Sequence, residues 1–407
     1  MLDTLERGIE GGKWYSLMDK VWSEKHLRLA AETVIGKDGA AGVDGQSCAL
    51  VKARLEETVV ELSGLLQTER YEPRPVKRVW IDKLGSKEKR PLGIPTVRDR
   101  VAQTALLAVL EPIFERDFAE RSYGFRPGRS AQQAIAQVEE LLAQGQGWVV
   151  DADLKGYFDS IPQDQLLQAV ERKIADGRIL RLLKKYLEQG VLESARDWQP
   201  TGQGTPQGAV ISPLLANIYL DPLDQLMASR GREMIRYADD FVILCRSQAE
   251  AEEALAEAAA WVKEAGLTLH PDKTRIVDAR QPGGFDFLGW HFERGWKWPR
   301  EKSVARFKES LRQQTPRTHG ESLPMIISRL NRRLRGWGRY FAGSNGNIYT
   351  RLDEWLRMRL RSILRKRDRR KGRGRGLDHH RYPNAYFAEL GLISLKALTR
   401  AKRANPT

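Results

Sequence analysis

The sequence has little cysteine and no long apolar segment, and both absences limit the classes of protein to which the chain can belong. Its 407 residues include only two cysteines, Cys48 and Cys245, which is too few for a disulfide framework or, unaided, for a zinc cluster. No apolar run reaches the roughly 18 residues that a membrane span requires. The N-terminus also lacks the basic and then apolar pattern of a signal peptide. These features predict a reducing compartment and no membrane partner.

Acidic residues are scarce in the last quarter of the chain. Residues 301–407 contain 27 Lys and Arg against 8 Asp and Glu, a net charge of +19, whereas the first 300 residues contain 41 basic and 45 acidic residues. The solvated face of one helix explains a short charge run, but this imbalance extends over about a hundred residues. It predicts a region that binds a polyanion, most simply a nucleic acid.

The order of helical and strand patterns predicts the α+β class. Apolar spacing favours helices over residues 97–118 and 130–142 and a strand at 148–154, without regular βαβ repetition. After about residue 298 the strand patterns end, and residues 321–370 show apolar positions at helical spacing with arginine between them. The length of 407 residues fits roughly two to four domains.

Two acidic clusters precede or interrupt apolar strands. In RYADDFVIL, residues 236–244, Asp239 and Asp240 precede a run that reads as a buried strand, and a hairpin with Ala238-Asp239 near its turn is the economical interpretation. Asp is common in turns, but that explains only one of the two. In WVVDADL, Asp151 and Asp153 alternate on one face of a strand. If this strand lies beside the hairpin, three or four carboxylates converge.

Converging carboxylates repel one another and take up protons unless a cation neutralises them. Mg²⁺ prefers such oxygen ligands, and a pair of metal ions promotes in-line displacement at phosphorus. Together with the basic region, the acids predict metal-dependent nucleotidyl transfer. The residues alone leave open whether Asp151 or Asp153 is the ligand.

Several blocks, in chain order, resemble known motifs. DADLKGYFDSI, GTPQGAVISPLLANIYL, RYADDFVIL and GLTLHPDKTRIV look like the palm motifs of reverse transcriptases. RPLGIPTVRDRVAQTAL, YGFRPGRSAQQAI, FDFLGW and LNRRLRGWGRYFAGSN are similar to blocks of the group II intron reverse transcriptase/maturase family. The resemblance runs from about residue 36 to about residue 400. It implies a right-hand polymerase whose fingers and palm combine an antiparallel sheet with helices, followed by an α-helical thumb or maturase domain.

The resemblance also implies a division of the chain. Residues 1–75 would form an N-terminal helical extension and the start of the fingers, 76–298 the fingers and palm, 299–371 the thumb or maturase (X) domain, and 372–407 a short basic segment like a DNA-binding one. Many family members end in a Cys/His-rich nuclease domain. That domain is not expected here, because no cysteine follows Cys245.

Site residues follow from the resemblance position by position. Asp153, Asp239 and Asp240 match the catalytic metal-binding aspartates, with the carbonyl of Leu154 as a further ligand, so that Asp153 is preferred to Asp151. The residues that match dNTP contacts are Lys83, Arg90, Phe158 as the steric gate, Gln207 and Lys273. Lys87 and Lys89 are alternatives to Lys83. RNA or DNA contacts are expected from Arg332, Arg333, Arg335, Arg339, Arg365, Lys366, Arg367, Arg369 and Arg370.

The implied function is RNA-directed DNA synthesis by an intron-encoded protein in the bacterial cytoplasm. Two Mg²⁺ ions, with Mn²⁺ as a substitute, would serve transfer from a dNTP to a primer 3′-hydroxyl on an RNA template. The other expected partners are the parent intron RNA, whose splicing the protein would assist, and target DNA for retrohoming. Two alternatives remain: an RNA-binding splicing scaffold with a vestigial polymerase, and a domesticated reverse transcriptase in defence or repair.

Overall fold

The computed structural model describes residues 12–82, 89–192, 198–199, 202–206, 208–318, 320–345, 347–372, 374 and 376–404. The helices of these residues are α1 Met18–Trp22, α2 Glu24–Gly36, α3 Cys48–Ala53, α4 Leu55–Gln67, α5 Val97–Glu115, α6 Ala131–Ala143, α7 Tyr157–Ser160, α8 Gln163–Glu171, α9 Gly177–Glu188, α10 Ser212–Ser229, α11 Gln248–Glu264, α12 Glu301–Gln314, α13 Leu323–Tyr340, α14 Ile348–Arg367, α15 Leu377–Arg381, α16 Asn384–Glu389 and α17 Leu395–Ala404. The strands are β1 Val76–Asp82, β2 Lys89–Ile94, β3 Trp148–Asp153, β4 Val191–Leu192, β5 Trp198–Gln199, β6 Glu233–Tyr237, β7 Asp240–Cys245, β8 Arg275–Asp278, β9 Phe285–Phe287, β10 Trp290–Glu293 and β11 Trp296–Pro299.

Helix starts follow their capping residues. The side chains of Thr96 and Ser130 accept hydrogen bonds from backbone N–H groups at the starts of α5 and α6, as capping residues do. Ser247 accepts from the N–H of Glu250 at 3.2 Å, which is the first half of a capping box. Helices α5 and α6 therefore begin where the sequence pattern places them.

The described strands form three sheets. The first has the order β6-β7-β3-β8, the second β2-β1-β4-β5, and the third β11-β10-β9. β7 is antiparallel to both β6 and β3, so the strand WVVDAD does lie beside the YADD hairpin. The mixture of helices and antiparallel sheets confirms the predicted α+β class.

The chain divides into two compact units, residues 1–277 and 278–407. In the first unit, Val150 and Ile243 of the central sheet share a buried core with Leu215 of α10. In the second unit, Leu330 of α13 and Leu356 of α14 share a separate core. Each fully buried leucine side chain stabilises its unit by roughly 1.5–3 kcal/mol. The finer division into fingers, palm, thumb and a C-terminal segment stays a prediction.

The described helices do not have the features of a membrane span. Within the described ranges, none of them combines the length and the hydropathy that crossing a bilayer requires.

Candidate active site

Two aspartates face each other across adjacent strands of the central sheet. Asp153 is the last residue of β3, and its partner in the antiparallel register is Asp240, the first residue of β7. Residues directly opposite each other in an antiparallel pair project from the same face of the sheet. The two carboxylates therefore project from one face of the sheet, next to the turn of the YADD hairpin.

The hairpin turn is the pair Ala238-Asp239, as the sequence predicts. It joins Tyr237 of β6 to Asp240 of β7, which are paired in register. Ala238 has a φ of 61°, a left-handed conformation that non-glycine residues rarely adopt. Gly124 lies directly behind the turn, and a Cβ there would collide with the backbone nitrogen of Ala238. The turn is thus held in a strained shape by close backbone packing, as is common at functional sites.

Arg236 fixes this turn from inside the protein. Its side chain is 1% exposed, and its Nη1 donates to the carbonyl oxygen of Ala238 at 2.8 Å and to Oδ1 of Asn217 at 3.0 Å. Its Nε donates to the two carboxylate oxygens of Asp224 at 2.8 and 3.0 Å. Asn217 in turn donates to the carbonyl of Gly124 at 2.8 Å. These bonds link helix α10, the segment behind the turn and the turn itself.

The buried charges in this network compensate one another. Burial lowers the pKa of Arg236 and the carboxylate of Asp224 raises it, and the net shift is upward, so that the guanidinium stays charged. Beside it, burial raises the pKa of Tyr157 well above its ordinary value, and the negative charge of Asp239 adds to the effect. The neutral Tyr157 hydroxyl donates to the carbonyl of Ala216 at 2.6 Å. The surroundings of the turn are therefore desolvated and ordered.

Asp153 is paired with the predicted palm lysine. Lys273 Nζ donates to Asp153 Oδ2 at 2.5 Å, and the backbone N–H of His270 donates to the carbonyl of Asp153 at 2.7 Å. Asp151, on the same face, has its own cation, Arg275, at 3.3 Å. The segment after α11 thus supplies a positive charge to each of the two acids of β3.

No preformed metal cluster accompanies this arrangement. In the part of the chain that the structure describes, no three His, Cys, Asp or Glu side chains are grouped so as to hold a metal ion. Of the three or four carboxylates expected to converge, the backbone register pairs two, Asp153 and Asp240, and the ammonium of Lys273 lies against Asp153. Lys273 therefore supplies a positive charge of the kind that the Asp153 carboxylate requires.

The aromatic residue expected as a steric gate lies just beyond β3. Phe158 belongs to the short helix α7 and is half-buried, and its ring makes edge contacts with those of Tyr157 at 5.6 Å and Phe125 at 6.2 Å between centroids. The backbone N–H of Thr205 donates to the carbonyl of Phe158 at 2.7 Å. The glycine-rich loop before α10 is thus bonded directly to α7.

The glycines of that loop approach protein backbone closely. A Cβ at Gly204, where φ is 81°, would collide with the carbonyl oxygen of Phe158, and one at Gly208, where φ is 104°, with that of Gly93 in β2. Both positions require glycine for its positive φ as well as for space. Both glycines therefore pack closely against the chain's own backbone.

The other residues expected to bind dNTP can be placed only in part. Arg90 lies on β2 opposite Ile81 of β1, whereas Lys83 and Gln207 lie outside the described residues. A cavity of about 320 Å³ adjoins this region. Its lining residues are Val76, Arg78, Pro91, Gly93, Asp159, Val191, Gly202, Gln203, Thr205 and Pro206. It is walled by β1, β2 and the loop that is bonded to Phe158.

The predicted RNA-binding residues of the second unit do not share one environment. Arg332, Arg333, Arg335 and Arg339 are exposed along α13. By contrast, Arg365 Nη1 lies 2.7 Å from the buried carboxylate of Asp378, and Arg370 lies 3.9 Å from it. Lys366, Arg367 and Arg369 are exposed. Structural roles thus compete with RNA contacts at Arg365 and Arg370.

Sequence reasoning missed several residues that shape the site. Arg236 belongs to the same motif as the aspartates, but arginine side chains are mostly exposed, so the sequence does not predict that this one is buried. Gly124 and Phe125 stand in the block YGFRPGRS, and only the structure shows that they lie against Ala238 and Phe158. Proximity of this kind depends on tertiary packing and leaves no local sequence signal.

Comparison with known proteins identifies the family. Residues 81–292 match the reverse transcriptase (RNA-dependent DNA polymerase) family, and residues 304–382 match the maturase-specific domain of group II introns. Protein YkfC of Escherichia coli is 36% identical over 67% of this chain and 81% of its own length.

The chain belongs to the reverse transcriptase family. It is also 42% identical to the group II intron-encoded protein LtrA of Lactococcus lactis, over 42% of this chain and 28% of LtrA. An uncharacterized 91 kDa protein in the cob intron of Schizosaccharomyces pombe is 33% identical over 53% of this chain and 34% of that protein. The chain thus spans about a third or less of these two intron-encoded relatives.

These matches confirm the resemblance to group II intron reverse transcriptases and maturases. They support RNA-directed DNA polymerase activity joined to a maturase function, and they do not favour a splicing scaffold with a vestigial polymerase. A polymerase of this family relies on divalent metal ions and on nucleic-acid partners.

Proposed function

We propose that this reverse transcriptase copies its parent group II intron RNA into DNA with the acidic face around Asp153, Asp239 and Asp240 as its catalytic centre. The observation that carries the proposal is the register of Asp153 with Asp240 beside the strained turn that holds Asp239. Three carboxylates from two neighbouring strand ends suit metal-assisted displacement at phosphorus. The proposed place of action is the bacterial cytoplasm.

The donor set fits magnesium. Carboxylate and carbonyl oxygens are hard ligands of the kind that Mg²⁺ prefers, and Mn²⁺ accepts the same set. Asp153 and Asp239 would hold two ions, with Asp240 less directly involved. The backbone N–H of Lys155 donates to the carbonyl of residue 268, and the carbonyl of Asp153 accepts from the N–H of residue 270. Neither of these bonds uses the carbonyl oxygen of Leu154, which lies between them in the chain. When bound, the ions would activate the primer hydroxyl and stabilise the charge that develops on the transferred phosphate.

The chain's own residues would orient the nucleotide. Phe158 would crowd a ribose 2′-hydroxyl and thereby select dNTPs, since its ring is anchored on Phe125 and Tyr157. Lys273, which is paired with Asp153, would bind a phosphate once Asp153 has another cation. Arg90 on β2, with Lys83 and Gln207, is proposed to complete the triphosphate and base contacts, as the resemblance implies.

The second unit would bind the RNA. Its exposed arginines on α13 and the net charge of +19 over residues 301–407 suit contacts with phosphates. The proposed partners are the parent intron RNA during splicing, the RNA template with its DNA primer, and target DNA. Affinity for these polyanions would come mainly from charge, whereas splicing chemistry would remain with the RNA.

Primer extension tests the catalytic assignment. The full chain is given an RNA template, a DNA primer, dNTPs and Mg²⁺, and Asp239→Ala is compared with wild type and with Asp164→Ala, an exposed aspartate of α8. We expect Asp239→Ala to lose extension by several orders of magnitude while its RNA affinity is retained, and Asp164→Ala to behave as wild type. Equal activity of wild type and Asp239→Ala would refute the site.

A further inference from the structure

β11 presents two indole rings on one face. Trp296 and Trp298 are two residues apart in the strand, so their side chains project to the same side. Lys297, between them, projects to the other side, where its Nζ lies 4.7 Å from the ring centroid of Trp290. Trp296 is 58% exposed and Trp298 is half-buried. The two indoles therefore lie next to each other on one face of the strand, and tryptophan side chains of this kind are common at binding surfaces.

These rings form one wall of a cavity of about 500 Å³. The residues that line it are Trp296, Trp298, Asn345, Asn347, Ile348 and Arg351. All belong to the second unit, and the opposite wall is the beginning of α14. A cavity of this size is in the range of roughly 300–1,000 Å³ that small ligands occupy.

The polar groups of the cavity are carboxamides and a cation. Asn345 Oδ1 accepts a hydrogen bond from the backbone N–H of Lys297 at 3.1 Å, which orients that amide beside the tryptophans. Asn347 precedes α14 without capping it through its side chain. Arg351, in the first turn of α14, is exposed. No acidic residue lines the described wall of the cavity.

Positive charge continues from the cavity along α14. Arg351, Trp355 and Arg359 follow one another at four-residue spacing and so share a face of the helix. The ring of Trp355 has Lys308 at 5.7 Å, Arg312 at 5.7 Å and Arg359 at 5.5 Å from its centroid. A chain that carries a phosphate on every residue would therefore meet cations immediately beyond the aromatic pocket.

We propose that this pocket takes one unpaired base of a single-stranded RNA, with the next phosphates on Arg351 and the basic face of α14. Flat indole rings stack on bases of any identity, carboxamides bond to base edges, and arginine holds phosphate. A proline-rich peptide also favours tryptophan grooves, but it has no need of the cations. The proposal rests on the proposed function only in taking RNA as the ligand.

Fluorescence and salt dependence test the stacking. The full chain is titrated with a short single-stranded RNA that contains 2-aminopurine, and Trp296→Ala and Trp296→Phe are compared with wild type. Stacking on one ring is worth enough that Trp296→Ala should weaken affinity at least about fivefold. It should also abolish quenching of the 2-aminopurine without changing the salt slope, whereas Trp296→Phe should retain much of both. Arg351→Gln should lower the salt slope by about one unit.

Matched controls separate the pocket from general surface effects. Met325→Ala removes another exposed apolar side chain, 62% exposed, and Arg306→Gln removes another exposed cation of the second unit. The first should bind as wild type, and the second should leave 2-aminopurine quenching intact.

Three outcomes would overturn the proposal. They are wild-type affinity of Trp296→Ala, an equal loss of affinity for a blunt RNA–DNA duplex, and displacement of the RNA by a proline-rich peptide. Failure of the proposed catalytic site would be seen separately, as primer extension that does not depend on Asp239.

Discussion

Replacing Arg236 should reduce both the stability and the activity of the first unit. In Arg236→Gln, the side chain of Asp224, only 4% exposed, would be left as an unpaired buried charge. Breaking a buried pair in this way costs about 3–5 kcal/mol, which for a unit of this size lowers the melting temperature by roughly 6–20 °C. The carbonyl of Ala238 also loses its donor at 2.8 Å, so the turn that carries Asp239 is no longer fixed.

The loss of activity should be separable from the loss of stability. A displacement of about 1 Å in a catalytic group can cost about 10²-fold in rate, and we expect a fall in kcat of that order at temperatures well below melting. In the double variant Arg236→Met with Asp224→Leu the buried charge is gone, so part of the lost melting temperature should return. Since neither new side chain can donate to Ala238, kcat should stay low.

Thermal denaturation and single-nucleotide extension measure the two effects. Leu183→Ala in α9 serves as the matched control, because its side chain is fully buried and its loss costs about 2–5 kcal/mol without touching the turn. It should melt lower and keep its kcat. If the double variant regained kcat together with melting temperature, the idea that Arg236 positions the turn would be wrong.

Three further predictions concern the gate, the metal and acid stability. Phe158→Ala should raise the kcat/KM for ribonucleotides relative to dNTPs, and unchanged selectivity in primer extension would contradict its role as a gate. Lys273→Gln should raise the KM for dNTP and lower the Mg²⁺ concentration for half-maximal rate, because the lysine no longer competes for Asp153; an unchanged Mg²⁺ requirement would count against this. Burial raises the pKa of Asp176, but backbone N–H groups, including those of Leu17 and Met18, outweigh this and hold it below its ordinary value. This carboxylate therefore stabilises the fold above about pH 3.9, and the stabilisation is lost as the pH falls through the lower folded value. Melting curves recorded from pH 7 to below pH 3 should show that loss in wild type and a flatter profile in Asp176→Asn.

Much of the local architecture is predictable because it rests on short-range patterns. Three examples depend only on residues a few positions apart in the sequence. They are the strand that ends at Asp153, the hairpin around Ala238-Asp239 and the capping box at Ser247. The start of α9 is equally local, because Asp176 caps it through the N–H groups of residues 178 and 179. Patterns of this kind need no knowledge of the rest of the fold.

The supports of the site could not be predicted, because they depend on contacts across long sequence separations. The bond between Lys273 and Asp153 joins residues 120 positions apart, and that between Asn217 and Gly124 joins residues 93 apart. Arg236 follows the apolar residues Met234 and Ile235 in β6. The charge of its own side chain would predict a position at the surface. Only packing of β6 against α10 reveals that Asp224 compensates its charge.

The uneven charge of the chain implies a division of labour that salt can test. The first 300 residues have more acidic than basic residues, and residues 301–407 carry a net charge of +19. RNA affinity should therefore come mainly from the second unit. If it makes six to ten phosphate contacts, affinity should fall by about 10³–10⁵ between 50 and 200 mM salt. At saturating template, kcat should change far less, because the desolvated network around Arg236 is poorly screened. A kcat that fell in parallel with affinity would mean that exposed charges support the chemistry as well as the binding.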